Sequence, residues 1–196
     1  METLIIHISG ASGSGKTTLG NKLKEQFKSK IVVKDLDDLR DEFIKEFYGN
    51  KKWTYIDENE YQSYIDDYIN KQKKPIIFVG LNDNTIYGKN KNLYYNVHSQ
   101  HNYYIKIDDM IIVKQKCIRL LNDIQTDKMP MEDLVKNNET FVKQFTKAIK
   151  IECSAKQTIK QNNKWKKDYE KQDYKFMSRE NIYKSVVKIL NNKFSK

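Results

Sequence analysis

Nine consecutive residues constrain this chain more than any others: Gly10-Ala11-Ser12-Gly13-Ser14-Gly15-Lys16-Thr17-Thr18. An apolar run, Leu4 to Ile8, precedes them and a helical pattern follows. The spacing is G-x-x-x-x-G-K-T, the phosphate-binding loop or P-loop signature. Glycines let the backbone turn tightly and aim its N–H groups at phosphate oxygens. Lys16 brings a point charge to the terminal phosphates, and Thr17 offers a hydroxyl to Mg²⁺. The helix that begins here adds the positive end of its dipole. A plain glycine-rich surface turn would match the composition but not the strand before it and the helix after it.

The rest of the chain supplies a frame for that loop. Leu4-Ile5-Ile6-His7-Ile8 reads as a buried central strand, because apolar residues run almost without alternation. His7 inside it reads as a packed core residue. A helix from Thr17 to about Lys28 shows Leu19, Leu23 and Phe27 on one face. Ile31 to Val33 is a second strand, followed by a helix carrying Leu39, Phe43 and Phe47. Glu58 to Lys71 is helical, with Tyr61, Ile65, Tyr68 and Ile69 on one side, and Pro75 stops it. Ile76 to Val79 is the third strand and Tyr103 to Ile107 the fourth. Between them, Leu81 to Asn102 is polar and longer than an ordinary connection, so a short helix or a substrate-side loop is expected there. The next helix places Met110, Val113, Cys117, Leu120 and Ile124 on one face, with Arg119 pointing away. Met131 to Ile151 repeats a weaker helical pattern, and Glu152 to Gln172 has few apolar anchors besides Trp165. Tyr174 to Met177 reads as a short last strand, and Ser178 caps a final helix with Ile182, Val186 and Ile189 inward. Strands alternating with helices and no tight hairpin signal predict βαβ units: an α/β fold with a parallel sheet covered by helices on both faces. The loop then lies at the carboxyl edge of a central strand, where open α/β sheets bind ligands.

Composition narrows the setting. In 196 residues the formal charge is +10, with only Arg40, Arg119 and Arg179 as arginine among 36 basic residues. Lysine, asparagine, isoleucine and tyrosine abundance accounts for the charge without a nucleic-acid partner, although a basic surface also suits one. The scarcity of arginine carries more information, because a planar fork that grips phosphate bidentately has no lysine substitute. No apolar run approaches the roughly 20 residues that cross a bilayer, and no signal pattern opens the chain. Cys117 and Cys153 show no metal or redox spacing. No membrane partner and a cytoplasmic, reducing setting are the expectation. His98-Ser99-Gln100-His101 is a weak metal hint without an acidic or cysteine partner.

A second cluster follows the second strand, about twenty residues beyond Lys16: Asp35, Asp37 and Asp38, with Arg40 close behind. A carboxylate at this sheet edge can hold an attacking hydroxyl in line with a γ-phosphate or accept its proton. Arg40 can grip an anionic group on the acceptor. Carboxylates that merely complement a helix dipole are the simpler reading of Asp37 and Asp38.

With the loop and this Asp35-Leu36-Asp37-Asp38-Leu39-Arg40 turn together, the chain resembles the P-loop kinases. These are small ATP-dependent phosphotransferases with a five-stranded parallel sheet and a mobile helical lid. The turn looks like that of the zeta-toxin-like kinases and the phage-type polynucleotide 5′-kinases. The resemblance implies a P-loop NTPase fold, one domain over residues 1–196 with 125–172 as a lid or insert, and ATP and Mg²⁺ as ligands. It implies that Gly10 to Thr18 cradle ATP, that Asp37 positions the acceptor and that Arg40 binds it. Arg119 falls where such kinases carry a lid arginine over the transferred group, so Lys16, Asp37 and Arg119 are the expected catalytic set. The usual second lid arginine is absent; Asp123 stands one turn later, and lysines between 136 and 160 are the candidates to replace it. Arg179 falls near the expected adenine side or on the surface.

Two departures shape the expected function. Val79-Gly80-Leu81-Asn82-Asp83 lacks the Asp-Gly-Phe-Pro-Arg stretch of adenylate-kinase-type enzymes, so Thr17 and Asp35 are left as the expected Mg²⁺ ligands. Asn90-Lys91-Asn92 lacks the Asp of a guanine-reading motif. The expectation is a small kinase acting on a nucleoside, nucleotide or similar small acceptor, with acceptor contacts drawn from residues 53–64 and 81–102. A polynucleotide 5′-hydroxyl kinase and a nucleotide-binding NTPase module without an acceptor are the alternatives.

Overall fold

The computed structural model describes residues 3–49, 58–85, 92–125 and 138–195. Contacts divide it into two compact units. The first comprises 1–10, 15–106 and 173–196; the second comprises 11–14 and 107–172.

The first unit is an α/β layer structure. Its sheet strands are β1 (Ile5–Ser9), β2 (Val32–Asp35), β3 (Ile76–Val79), β6 (His101–Ile105) and β7 (Lys175–Met177). They stand in the order β2-β3-β1-β6-β7, and every neighbouring pair is parallel. Strand alternation divides the apolar residues between two faces. On one face Ile5, Ile76 and Phe78 meet α2 (Leu36–Phe47) and α3 (Glu58–Asn70) through Leu39, Phe43, Tyr61 and Ile65. On the other, Ile6, Ile8, Ile77 and Val79 meet α1 (Lys16–Phe27) and α7 (Arg179–Phe194) through Leu19, Leu23, Ile182 and Val186. The doubly covered parallel sheet follows from strands that are apolar on both sides. Ser178 caps α7 as its sequence suggests, its Oγ accepting from the Asn181 N–H at 3.3 Å.

Some inward residues differ from the helical pattern read from sequence. Phe47 is 54% exposed, although it lies against Phe43. Among its described residues, the long polar stretch after β3 forms a strand pair instead of a helix: β4 (Asp83–Thr85) pairs antiparallel with β5 (Asn92–Tyr94). Periodicity could not reveal it, because three-residue strands are too short to show alternation. Tyr95 and Val97, just beyond, are buried in the α2–α3 core. Expected acceptor contacts at 53–57 and 86–91 lie outside the described residues.

The second unit is helical: α4 (Asp109–Gln125) packs against both α5 (Asn138–Glu152) and α6 (Ala155–Glu170). In α4, Val113 and Leu120 are buried as expected and Ile112 joins them, whereas Met110 is 59% exposed; the side chain of Ile124 lies outside the described residues. Helix α6 runs through the stretch that hydropathy left unassigned. Its buried positions, Thr158, Asn162 and Tyr169, have helical spacing but mostly polar identity. Asn162 Nδ2 donates to Asp109 Oδ1 at the start of α4, and Lys166 Nζ reaches the same oxygen at 3.2 Å. Polar pairing thus does part of the work that apolar burial does elsewhere. Residues 131–137 of the expected helical stretch lie outside the described residues.

Candidate nucleotide site

The loop between β1 and α1 has the backbone its glycines allow. Gly13 and Gly15 take φ of 84° and 86°, in the left-handed region that side chains avoid. Gly15 is the N-cap of α1, and its carbonyl accepts from the Leu19 N–H at 3.0 Å. No side chain caps α1, and no acidic residue stands in its first turn. Within the loop, the Ser14 N–H donates to the Ala11 carbonyl at 3.0 Å, and Ser14 itself is buried. Lys16 Nζ donates to the Gly10 carbonyl at 2.8 Å, folding the lysine back over the loop.

The acidic turn meets this loop inside the first unit. Thr17 Oγ1 donates to Asp35 Oδ2 at 3.0 Å. The other oxygen of Asp35 accepts from the Asp37 N–H at 3.0 Å, so Asp35 also caps α2. Burial raises the Asp35 pKa, while its bonds from Asp37 and Thr17 oppose the rise. One carboxylate therefore serves two structures, a helix N-terminus and the P-loop threonine. The pair of hard oxygens fits a magnesium site that keeps most of its waters, because Mg²⁺ needs few protein ligands. Among the described residues no cluster of three or more acidic, histidine or cysteine side chains forms another metal site. His98, from the weak metal hint, is paired with Asp66 at 3.0 Å.

One turn into α2, Arg40 Nη1 bonds Asp37 Oδ1 at 2.9 Å, and its Nε and Nη2 reach Asp41 Oδ1 at 3.2 and 3.0 Å. Burial works against the Arg40 charge, but Asp37 and Asp41 outweigh it and raise the pKa. The fork is thus engaged by neighbouring carboxylates rather than held open. These partners are exposed, and such pairs exchange at little cost.

In the second unit, Arg119 on α4 is exposed and brings Nη1 within 3.5 Å of Ser12 Oγ. Asp123 follows on the same helix. Of the lysines considered as replacements for a second arginine, Lys136 lies outside the described residues, while Lys147 and Lys150 are exposed.

Two residues have partners that the sequence reading did not name, although it read His7 as a packed core residue. His7 lies wholly buried in β1, its Nε2 facing the Gly80 carbonyl at 3.0 Å and its Nδ1 bonded to the Tyr174 hydroxyl. Arg179 lies against the loop: a Cβ built on Gly15 would fall 2.5 Å from its Nη1. Its rarity as an arginine and its place near the expected adenine side marked it beforehand.

The all-parallel five-stranded sheet with helices on both faces, and this loop at the carboxyl end of its central strand, define an α/β fold of the P-loop NTPase class. No protein-family model and no curated protein matches the chain. Solved structures do. The crystal structure of TT1252 from Thermus thermophilus is 16% identical and covers 70% of this chain and 86% of that one, with a TM-score of 0.41. Shikimate kinase from Acinetobacter baumannii in complex with shikimate is 12% identical and covers 99% of this chain and 96% of that one, with a TM-score of 0.40. Likeness at this distance assigns neither an activity nor a substrate. No described helix is long and apolar enough to cross a membrane.

Proposed function

We propose that the protein is an ATP-dependent phosphotransferase that moves the γ-phosphate of ATP to a small, nucleotide-like acceptor. The observation that carries this reading is the bond from Thr17 to Asp35, which joins the donor loop to the acidic turn where an acceptor would stand. The loop amides of Gly10 to Thr18 and the Lys16 ammonium hold the triphosphate. Thr17 and Asp35 are the residues that would hold Mg²⁺, whose charge neutralises the terminal phosphates. Asp37 orients the acceptor hydroxyl or takes its proton. Arg40 exchanges its exposed carboxylate partners for an anionic group on the acceptor, a swap favoured by its planar fork. Arg119 neutralises charge on the transferred group.

The test is an ATP-dependent phosphorylation screen over nucleosides, nucleotides, sugars and 5′-hydroxyl oligonucleotides. Lys16→Ala is expected to lose both ATP binding and transfer, and Asp37→Ala to lose transfer while still binding ATP. Full turnover by Asp37→Ala would remove that residue from the mechanism. Transfer only to oligonucleotides, with affinity falling steeply with salt, would move the acceptor to a polynucleotide 5′ end. Hydrolysis with no dependence on any acceptor would replace transfer by a nucleotide-binding module.

A further inference from the structure

The three arginines of this lysine-rich chain fall in telling places. Arg40 is engaged by Asp37 and Asp41 beside the Thr17–Asp35 pair, and Arg119 reaches Ser12 of the loop. Arg179 lies against Gly15, and among the described residues its guanidinium has no hydrogen bond or ion pair. Its neighbour Glu180 faces Lys184 at 3.7 Å instead.

Three physical points make this placement more than a surface arginine. Arg179 is the first residue of α7, where a cation works against the helix dipole. Helix α7 is fixed from below by Ile182, Val186 and Leu190, all fully buried, so the start of the helix is held in place. The space that its fork occupies exists because residue 15 has no side chain: a Cβ there would also lie 3.2 Å from Arg179 Cδ and 3.4 Å from Cζ. Gly15 immediately precedes Lys16 and caps α1, so a second helix N-terminus meets Arg179 at the same point. The Arg179 guanidinium and the N-terminus of α1 thus converge beside Gly15.

We infer that Arg179 is a donor-binding residue whose guanidinium fork grips the polyphosphate of the nucleotide seated in the loop. The inference rests on the nucleotide-binding reading above and adds to it a contact from the far end of the chain. A fork bonding two phosphate oxygens is short-ranged and charge-assisted, and Lys at the same place keeps the charge without the geometry.

The experiment is calorimetric titration of the wild type, Arg179→Ala and Arg179→Lys with MgATP, inorganic tripolyphosphate and adenosine. Arg179→Ala is expected to weaken MgATP and tripolyphosphate alike, by roughly tenfold or more, with its melting temperature unchanged in the absence of ligand. Arg179→Lys is expected to recover part of that loss. Unchanged affinities in Arg179→Ala overturn the inference. So does a loss confined to MgATP and adenosine, which would place the side chain on the base. A wild type that binds neither MgATP nor tripolyphosphate overturns the nucleotide reading itself, and this inference with it.

Discussion

Acidification is expected to destabilise the protein through one residue, His7. Its imidazole is fully buried in β1, with Nε2 at 3.0 Å from the Gly80 carbonyl and Nδ1 bonded to Tyr174. A carbonyl only accepts, so Nε2 carries the proton and Nδ1 accepts from the tyrosine hydroxyl. Burial first, and then the positive charge of Lys16, lower the His7 pKa to about 4, against an opposing contribution from the Gly80 carbonyl. In the unfolded chain it returns to the ordinary value of 6.5. Between those values the unfolded state binds more protons than the native one. Stability is therefore complete above pH 6.5 and is lost as the pH falls toward 4. A gap of two to three pKa units corresponds to roughly 3 kcal/mol, of which about 2 kcal/mol falls between about pH 6.5 and pH 4.5. Tyr174 can turn its hydroxyl to accept from a protonated Nδ1, so the cost is desolvation of the charge rather than a lost bond. The assay is urea unfolding followed by far-ultraviolet circular dichroism at both pH values, for the wild type and His7→Gln. Glutamine can still donate to Gly80 and does not titrate. Every other titrating group, including His101 with its burial-lowered pKa, cancels in the comparison. Equal pH dependence in the two proteins would refute the reasoning.

Two further outcomes follow from the geometry. Asp35→Asn keeps the cap on α2, so unfolding free energy is expected to change by only a few tenths of a kcal/mol, whereas Asp35→Ala loses about 1 kcal/mol; both are expected to raise the Mg²⁺ concentration needed for activity, and a normal Mg²⁺ requirement in Asp35→Asn would exclude the carboxylate as a ligand. Thr158 is buried in the second unit with no partner for Oγ1 among the described residues. Thr158→Val is expected to stabilise the protein by about 1 kcal/mol in thermal or urea unfolding, and a loss of that size would show that the hydroxyl is bonded.

The loop, the sheet strands and the inward faces of α1 and α7 were legible because their signals are local. A P-loop is a fixed spacing of glycines before a lysine, and a doubly covered strand is a continuous apolar run. Leu19 and Leu23 on α1, and Ile182 and Val186 on α7, sit where periodicity places them. Helix α6 was not legible, because its buried face is Thr158, Asn162 and Tyr169, and the polar members are recognised only once Asp109 stands opposite them. The β4–β5 pair was hidden because three-residue strands are too short to show alternation.

The candidate site divides along the same line. Sequence by itself marked Gly10 to Thr18 and the Asp35 to Arg40 turn, since each is contiguous and its chemistry is written in its residue types. Tertiary structure alone decided that Thr17 and Asp35 share a hydrogen bond and that Arg179 rests on Gly15 from 164 positions away in the numbering. Residue types specify what a group can bond. Which partner it meets depends on strand order and helix packing, which bring distant segments to one edge of the sheet.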